Sequence, residues 1–459
     1  MPAKPLSCVV SVSGIRGVLG STLGPDQLLA LAAAFGTAVA GGRVVAIGRD
    51  SRPTGSLVVQ AVSAGLRGVG CTVVDLGLVP TPTVPFAVAR GGGRFGGGIQ
   101  VSASHNPIEW NALKFYGPDG RNVDQKQLDA ILAAYQAEPA WKRWDGVGGH
   151  REDQQILDHH LEAVLASVDT ALIRRAAIPV LLDSVNGAGA VLAPRLLSAL
   201  GCALTAVHVR PELPFPRDPE PTAEKVVATG ALVRACGAAI GFVQDPDADR
   251  LALIDGDGTY IGEEYTLALC AAARLAAAEA EGRAGQVIAT NLSTSRMVED
   301  IAARHRGRVV RTPVGEAHVL DAMQAEGALL GGEGNGGVID PRVVWCRDSQ
   351  VGIALVLEYL ARTGKTLKEV VAALPRYAMV KRKIAVDRAT VTAAIPRIRA
   401  ADLAQAATID ARDGLKLSWP DRWVHVRASG TEPASRIIAE APDQAGADAL
   451  VAAVGRLLG

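Results

Sequence analysis

The chain has no excess charge of either sign: its 47 Lys and Arg offset 47 Asp and Glu over 459 residues. Without a long basic run it exerts no electrostatic pull on nucleic acid or an anionic membrane, although local arginine clusters still suffice for phosphate-sized anions. Long apolar runs are missing as well. The stretch 28–40 falls short of the ~20 residues of a membrane span and reads as an Ala-rich core helix. Residues 1–12 carry neither a long apolar core nor a cleavage signal, so nothing there suggests secretion. The six cysteines (Cys8, Cys71, Cys202, Cys236, Cys270, Cys346) form no Cys-x-x-Cys pair and read as buried, reduced thiols. These absences predict a cytoplasmic protein without nucleic-acid or membrane partners. The glycines at 91–93 and 96–98 precede a strand rather than open a helix after one, which excludes a dinucleotide fingerprint.

What is present is a hydrophobic fraction of 49% against 20% charged, enough for large cores. The length predicts roughly three to four domains. Three segments share one plan. Each opens with a short apolar strand running into a small-residue turn: 44–47 into 48–51, 179–182 into 183–187, and 286–289 into 290–294. A helical pattern follows, then a second strand (71–75, 203–207, 309–311), another helix, and a third strand. The third strands run into polar motifs at 102–107, 245–250 and 331–337, and a short strand returns after each, over 113–116, 251–254 and about 338–339.

Strands alternating with helices imply mainly parallel sheets covered on both faces, and ligands bind beyond the carboxyl ends of such strands. All three polar motifs occupy that place. The expected fold class is therefore α/β, with three related mixed-sheet domains facing a central cleft. From about Tyr377 the pattern changes to alternating segments, a charged helical stretch and a closing helix over about 444–458, read as a smaller C-terminal α+β domain. The expected domains are 1–150, 151–258, 259–374 and 375–459, with a linker around 374–380.

The motif at 245–250 places Asp245, Asp247 and Asp249 at alternate positions, closed by Arg250. Such carboxylates repel one another unless a cation sits among them, and hard oxygen ligands suit Mg²⁺ or Ca²⁺. An acidic turn after a strand is the plainer alternative. A calcium EF-hand loop fails, because Arg250 and Gly256 stand where that motif needs Gly and Glu. Ser104, flanked by His105, Asn106 and Pro107, is either a helix-capping turn residue or a hydroxyl exposed at a strand end, able to attack or carry a phosphoryl group. No Gly-x-Ser-x-Gly elbow surrounds it, which argues against acyl transfer.

Lys114, on the returning strand, is a solvated side chain or else a proton acceptor or phosphate clamp. Arg16 between Gly14 and Gly17 has the same ambiguity, with glycines that permit close backbone approach to an anion. Glu333 and Asn335, set among glycines, form either a Gly-rich turn or a pair suited to neighbouring sugar hydroxyls. Arg427, Ser429 and Thr431 around Gly430 combine a cation, two hydroxyls and a flexible backbone, which fits a phosphate cradle better than a plain hairpin.

Taken together, the loops at 102–107, 245–250, 332–336 and 427–433 resemble those of the α-D-phosphohexomutase family, in the same order and over essentially the whole chain. The resemblance implies three related α/β domains and a distinct fourth around a cleft. It implies a phosphorylated Ser104, with Asp245, Asp247 and Asp249 holding one Mg²⁺ against its phosphate. Arg16, Lys114 and His105 would lie near the reacting oxygen and Arg250 in the metal loop. Glu333 and Asn335 would hold sugar hydroxyls, while Arg427, Ser429, Gly430 and Thr431 would grip the non-reacting phosphate. The implied reaction moves a phosphoryl group between O6 and O1 of a hexose phosphate through a 1,6-bisphosphate, which also serves as activator.

The chain departs from many members in having Asn335 for Ser, Gly337 where His is common, and Gln244-Asp245-Pro246 at the start of the metal loop. The glycine-rich sugar loop resembles archaeal-type or divergent bacterial phosphoglucosamine mutases. Glucosamine phosphate is accordingly the first substrate expectation, with mannose or glucose phosphate and a non-catalytic sugar-phosphate binder as alternatives. A monomer or homodimer is expected.

Overall fold

Runs of Val, Ile and Leu a few residues long, bounded by Gly, Asp and Ser, form strands that helices cover on both faces. The computed structural model describes residues 5–428 and 434–458. The first sheet has strands β1 (Val9–Ser11), β2 (Gly14–Val18), β3 (Val44–Arg49), β4 (Val73–Leu78), β5 (Phe95–Val101), β6 (Trp110–Tyr116) and β7 (His150–Glu152), in the order β1-β2-β6-β5-β3-β4-β7. The second has β8 (Pro179–Asp183), β9 (Ala203–Val207), β10 (Ile240–Gln244) and β11 (Leu251–Asp255), ordered β11-β10-β8-β9. The third has β12 (Val287–Asn291), β13 (Arg308–Thr312), β14 (Leu330–Glu333) and β15 (Gly337–Ile339), ordered β13-β12-β14-β15.

The three sheets share one core. In each, the opening strand lies parallel between the second and third strands, and the returning strand pairs antiparallel with the third. The threefold plan read from the sequence is the plan of the sheets. Strands β1, β2 and β7 are additions to the first sheet that the repeat did not announce.

Several strands run further than their apolar stretches. Asn291 at the end of β12 pairs with Thr312, and Glu333 at the end of β14 pairs with Gly337. Apolarity stops where a strand leaves the core, whereas ladder pairing continues into the cleft. Glu333 therefore sits on a strand end and not on a free Gly-rich loop. Ser104 likewise caps no helix, since a turn leads from it directly into β6.

Within β5, a Cβ on Gly97 (φ +152°) would lie 2.4 Å from the Tyr116 carbonyl oxygen, and one on Gly98 2.7 Å from Val84. Those glycines let β5 close on β6 and on the helix Thr83–Arg90. A continuous apolar cluster then unites the first three domains, running through Phe86, Leu197, Leu269 and Leu357. The helices Glu264–Ala280 and Ser349–Thr363 carry the last two of these residues through its middle.

The fourth sheet, β16 (Ala378–Ile384), β17 (Thr408–Asp410), β18 (Leu415–Ser418), β19 (Trp423–Ala428) and β20 (Ser435–Ala441), is antiparallel throughout, in the order β16-β20-β19-β18-β17. It has its own core around Val424, Ile437 and Val451. Polar contacts join it to the third domain. Lys416 Nζ donates to the Leu292 carbonyl (2.6 Å), His425 Nδ1 meets Ser293 Oγ (2.9 Å), and Lys381 pairs with Glu263 (2.7 Å) and Glu264 (2.9 Å).

The cysteine expectation needs correction. All six are unpaired, but only Cys71, Cys270 and Cys346 are buried; Cys8 and Cys202 are partly covered, and Cys236 is exposed at the end of the helix Val227–Cys236. Among the described residues no helix is long and apolar enough to cross a membrane.

Candidate active site

Ser104 lies just beyond the end of β5 in a left-handed conformation (φ +51°) that a residue with a Cβ adopts only when its surroundings hold it there. The surroundings are a buried polar brace. Arg52, fully enclosed, donates to the carbonyls of Ser104 (2.7 Å), Asn106 (2.7 Å) and Trp110 (3.0 Å), and also to that of Pro107. Its Nε pairs with Asp50 (3.1 Å), which accepts from Ser102 Oγ (2.6 Å), and that hydroxyl in turn accepts from the Ser104 amide (2.9 Å). One planar guanidinium thus fixes the whole turn.

The brace aims Ser104 Oγ across the domain boundary, where it donates to Asp245 Oδ2 at 2.8 Å. Asp245, Asp247 and Asp249 occupy the turn between β10 and β11, each essentially buried, with one carboxylate oxygen from each within 4.8 Å of the others. Asp247 Oδ2 is also held from the first domain, by Lys114 Nζ (2.5 Å) and Thr81 Oγ1 (2.6 Å); Lys114 reaches Asp249 at 3.3 Å. Burial, then the charges of Asp247 and Asp249, push the Asp245 carboxyl well up. Burial also opposes ionisation of Asp247 and Asp249, but Lys114 beside the first and Arg347 beside the second hold both below the usual carboxylate range. Burial opposes the charge on Lys114 too, yet Asp247 and Asp249 keep it protonated beyond the usual lysine range.

The residues present fit a hard divalent cation. Asp247 Oδ1 and Asp249 Oδ1 are buried with no hydrogen-bond partner, a costly state for a carboxylate unless a cation completes it. Asp245, pushed toward its neutral form by the same neighbours, would be relieved in the same way.

Other expected residues gather around this centre. Arg16, on β2, donates to Asn106 Oδ1 (3.2 Å) and keeps its buried Nε without a partner. Arg250 Nε makes no hydrogen bond but lies in ion-pair range of Asp249, at 3.8 Å. His105 Nδ1 is 3.4 Å from Ser104 Oγ; burial, and then Arg250 and Arg16, push its pKa well below the ordinary histidine value. Glu333 accepts from Asn291 (2.8 Å), the Gly315 amide (3.2 Å), Asn335 (3.3 Å) and Arg347 (2.9 Å).

Arg427 stands apart from the serine and the aspartates. Its Nε donates to Asp413 (2.8 Å), which also accepts from the Val314 amide (3.0 Å) at the seam between the third and fourth domains. Ser429, Gly430 and Thr431 lie outside the described residues. The sequence reading missed Arg52 and Arg347. Arg52 stands one position past the turn 48–51 that the repeat flags, and nothing in the sequence sets it above Arg49. Arg347 is isolated, with no motif around it.

Four family models match in succession: phosphoglucomutase/phosphomannomutase alpha/beta/alpha domain I over 9–141, domain II over 158–258, domain III over 263–377, and the C-terminal domain over 379–457. A "Phosphoglucomutase/phosphomannomutase" of Thermococcus kodakarensis is 36% identical over 441 residues, covering 94% of each chain. A "Probable phosphoglucosamine mutase" of Methanopyrus kandleri is 34% identical, covering 94% of this chain and 93% of its own. Among solved structures, a phosphoglucomutase/phosphomannomutase family protein from Burkholderia thailandensis superposes with a TM-score of 0.84 at 27% identity, over 99% of this chain and 96% of its own. With four domains matched in order, three like sheets and a fourth unlike them, and an acidic cluster facing a strand-end serine, the chain belongs to the phosphoglucomutase/phosphomannomutase family.

Proposed function

We propose that this phosphohexomutase works through phospho-Ser104 and that its preferred substrate is glucosamine 6-phosphate, converted to glucosamine 1-phosphate. One observation carries the mechanism: a braced serine hydroxyl of one domain bonds to a buried three-carboxylate cluster of the next. Phospho-Ser104 gives its phosphoryl group to the sugar O1. The Oγ–P bond breaks, an O1–P bond forms, and the O1 proton passes to a base. The resulting 1,6-bisphosphate reorients, its O6–P bond breaks as the Oγ–P bond re-forms on Ser104, the base returns the proton to O6, and the 1-phosphate leaves.

Asp245, Asp247, Asp249 and the phosphate on Ser104 would hold one Mg²⁺, which would neutralise charge on the phosphoryl oxygens. Lys114, kept protonated, is a fixed cation beside the transferring group, and Arg16 and Arg250 add Nε donors that make no hydrogen bond. His105, favoured in its neutral form and 3.4 Å from Ser104 Oγ, would take the proton. Glu333 and Asn335 orient the sugar hydroxyls. Arg427 with residues 429–431 would grip the phosphate that is not reacting, and the fourth domain would close over the sugar and exclude water. A hexose 1,6-bisphosphate charges Ser104 initially.

Intact-mass measurement after incubation with glucose 1,6-bisphosphate should show one added phosphoryl group on Ser104; an unchanged mass refutes the phosphoserine route. Chelation should stop turnover and Mg²⁺ restore it, whereas turnover that persists in chelator refutes the metal requirement. Across glucosamine, glucose, mannose and N-acetylglucosamine phosphates, kcat/KM should be highest for glucosamine. A mannose preference above about tenfold, ~1.4 kcal/mol of discrimination, overturns that choice.

A further inference from the structure

We propose that Arg347 is a positioning residue that locks the sugar loop to the metal loop, and that Gly337 is glycine because Arg347 occupies the space a side chain there would fill. The inference rests on the reading of Glu333 as a sugar ligand and Asp249 as a metal ligand. Arg347 comes from the segment between β15 and the helix Ser349–Thr363 and is largely buried. Its Nη2 donates to Asp249 Oδ2 at 2.9 Å and its Nη1 to Glu333 Oε2 at 2.9 Å. Its Nε lies 3.5 Å from Glu316, whose other oxygen accepts the Arg347 amide at 2.7 Å.

One rigid fork therefore spans two carboxylates that belong to different domains. A lysine has no such planar pair of donors and cannot reproduce the bridge. The bridge leaves Glu333 little freedom, since Asn291 and Gly315 hold the opposite oxygen.

The glycine is the second half of the device. A Cβ on Gly337 would lie 2.2 Å from Arg347 Cδ and 2.9 Å from its Cγ. Those atoms are the middle of the arginine chain, so any side chain at 337 has to push the guanidinium off its two acceptors. Gly337 and Arg347 thus form a matched pair that sets the distance and angle between the sugar hydroxyls and the phosphoryl-transfer centre.

The test is a double-mutant cycle of Gly337→Ala and Arg347→Met. Two readouts apply: calorimetric binding of glucosamine 6-phosphate in chelator, and steady-state KM and kcat with Mg²⁺. Each single variant should weaken sugar-phosphate binding and raise KM by about tenfold, with a smaller change in kcat, and the double variant should be no worse than either single. Arg347→Lys should behave like Arg347→Met. Near-UV circular dichroism confirms that the variants are folded, and the mild Gly337→Ala change keeps the test valid if Arg347→Met folds poorly. Additive losses, or KM within about twofold of wild type in Gly337→Ala, overturn the coupling. No measurable binding by the wild-type protein overturns the sugar-phosphate reading beneath it, and so separates the two failures.

Discussion

Ser104→Ala should lower kcat by at least about four orders of magnitude, ~5.4 kcal/mol of lost transition-state stabilisation, with little change in thermal stability. The size follows from the route. If the phosphoryl group travels on Ser104 Oγ, no other nucleophile lies where the brace of Arg52, Asp50 and Ser102 aims that atom. The stability is spared because the hydroxyl contributes only a long contact to His105 and one hydrogen bond to an Asp245 that its neighbours already push toward neutrality. Alanine adopts the left-handed turn at a cost similar to serine's, so the backbone trap is unchanged. Steady-state kinetics with saturating bisphosphate, combined with scanning calorimetry, measure both quantities. A residual rate above about a hundredth of wild type would show that the serine is a bystander.

Arg52→Met should give the largest loss of stability among the residues around the site, about 3–5 kcal/mol. Removing the guanidinium strands Asp50 as a buried charge and leaves the carbonyls of Ser104, Asn106, Pro107 and Trp110 without their donor. Burial already pushes the Asp50 carboxyl up, and Arg52 is the principal charge opposing that shift. Arg52→Lys should recover little, because a single ammonium cannot reach an array of acceptors laid out for a flat fork. Denaturant titration gives the stability and intact mass gives the extent of Ser104 phosphorylation. A loss below about 1 kcal/mol would mean that the turn holds its shape without the brace.

The sequence disclosed the frame of this molecule more fully than its contacts. Repeated apolar strands located the three like sheets, because each strand needs a contiguous run to be buried on both faces. Ser104, the three aspartates and Glu333 were visible because carboxylates and hydroxyls at strand ends are conspicuous against Val and Leu. Arg52 and Arg347 were not. Each acts on groups distant in the chain: Arg52 on carbonyls more than fifty positions ahead, Arg347 on Asp249 across a domain boundary. A lone arginine in a loop has no periodicity to betray it. Glu333 was assigned to a loop for a related reason, since glycine neighbours mimic a turn while the ladder to Gly337 continues beneath them.

The site is also a consequence of assembly. Ser104 and Lys114 belong to the first sheet, their aspartate partners to the second, and Arg347 to the third. Each sheet is built within its own stretch of chain, so each can form inside its own domain, as the domains of larger proteins do. The charge cluster is complete only when finished modules dock, because the carboxylates already crowd one turn of the second domain and docking brings Lys114 and Arg347 to balance them. Recovery of secondary structure on refolding should therefore run ahead of recovery of turnover. In this protein the chemistry is the last part of the molecule to exist.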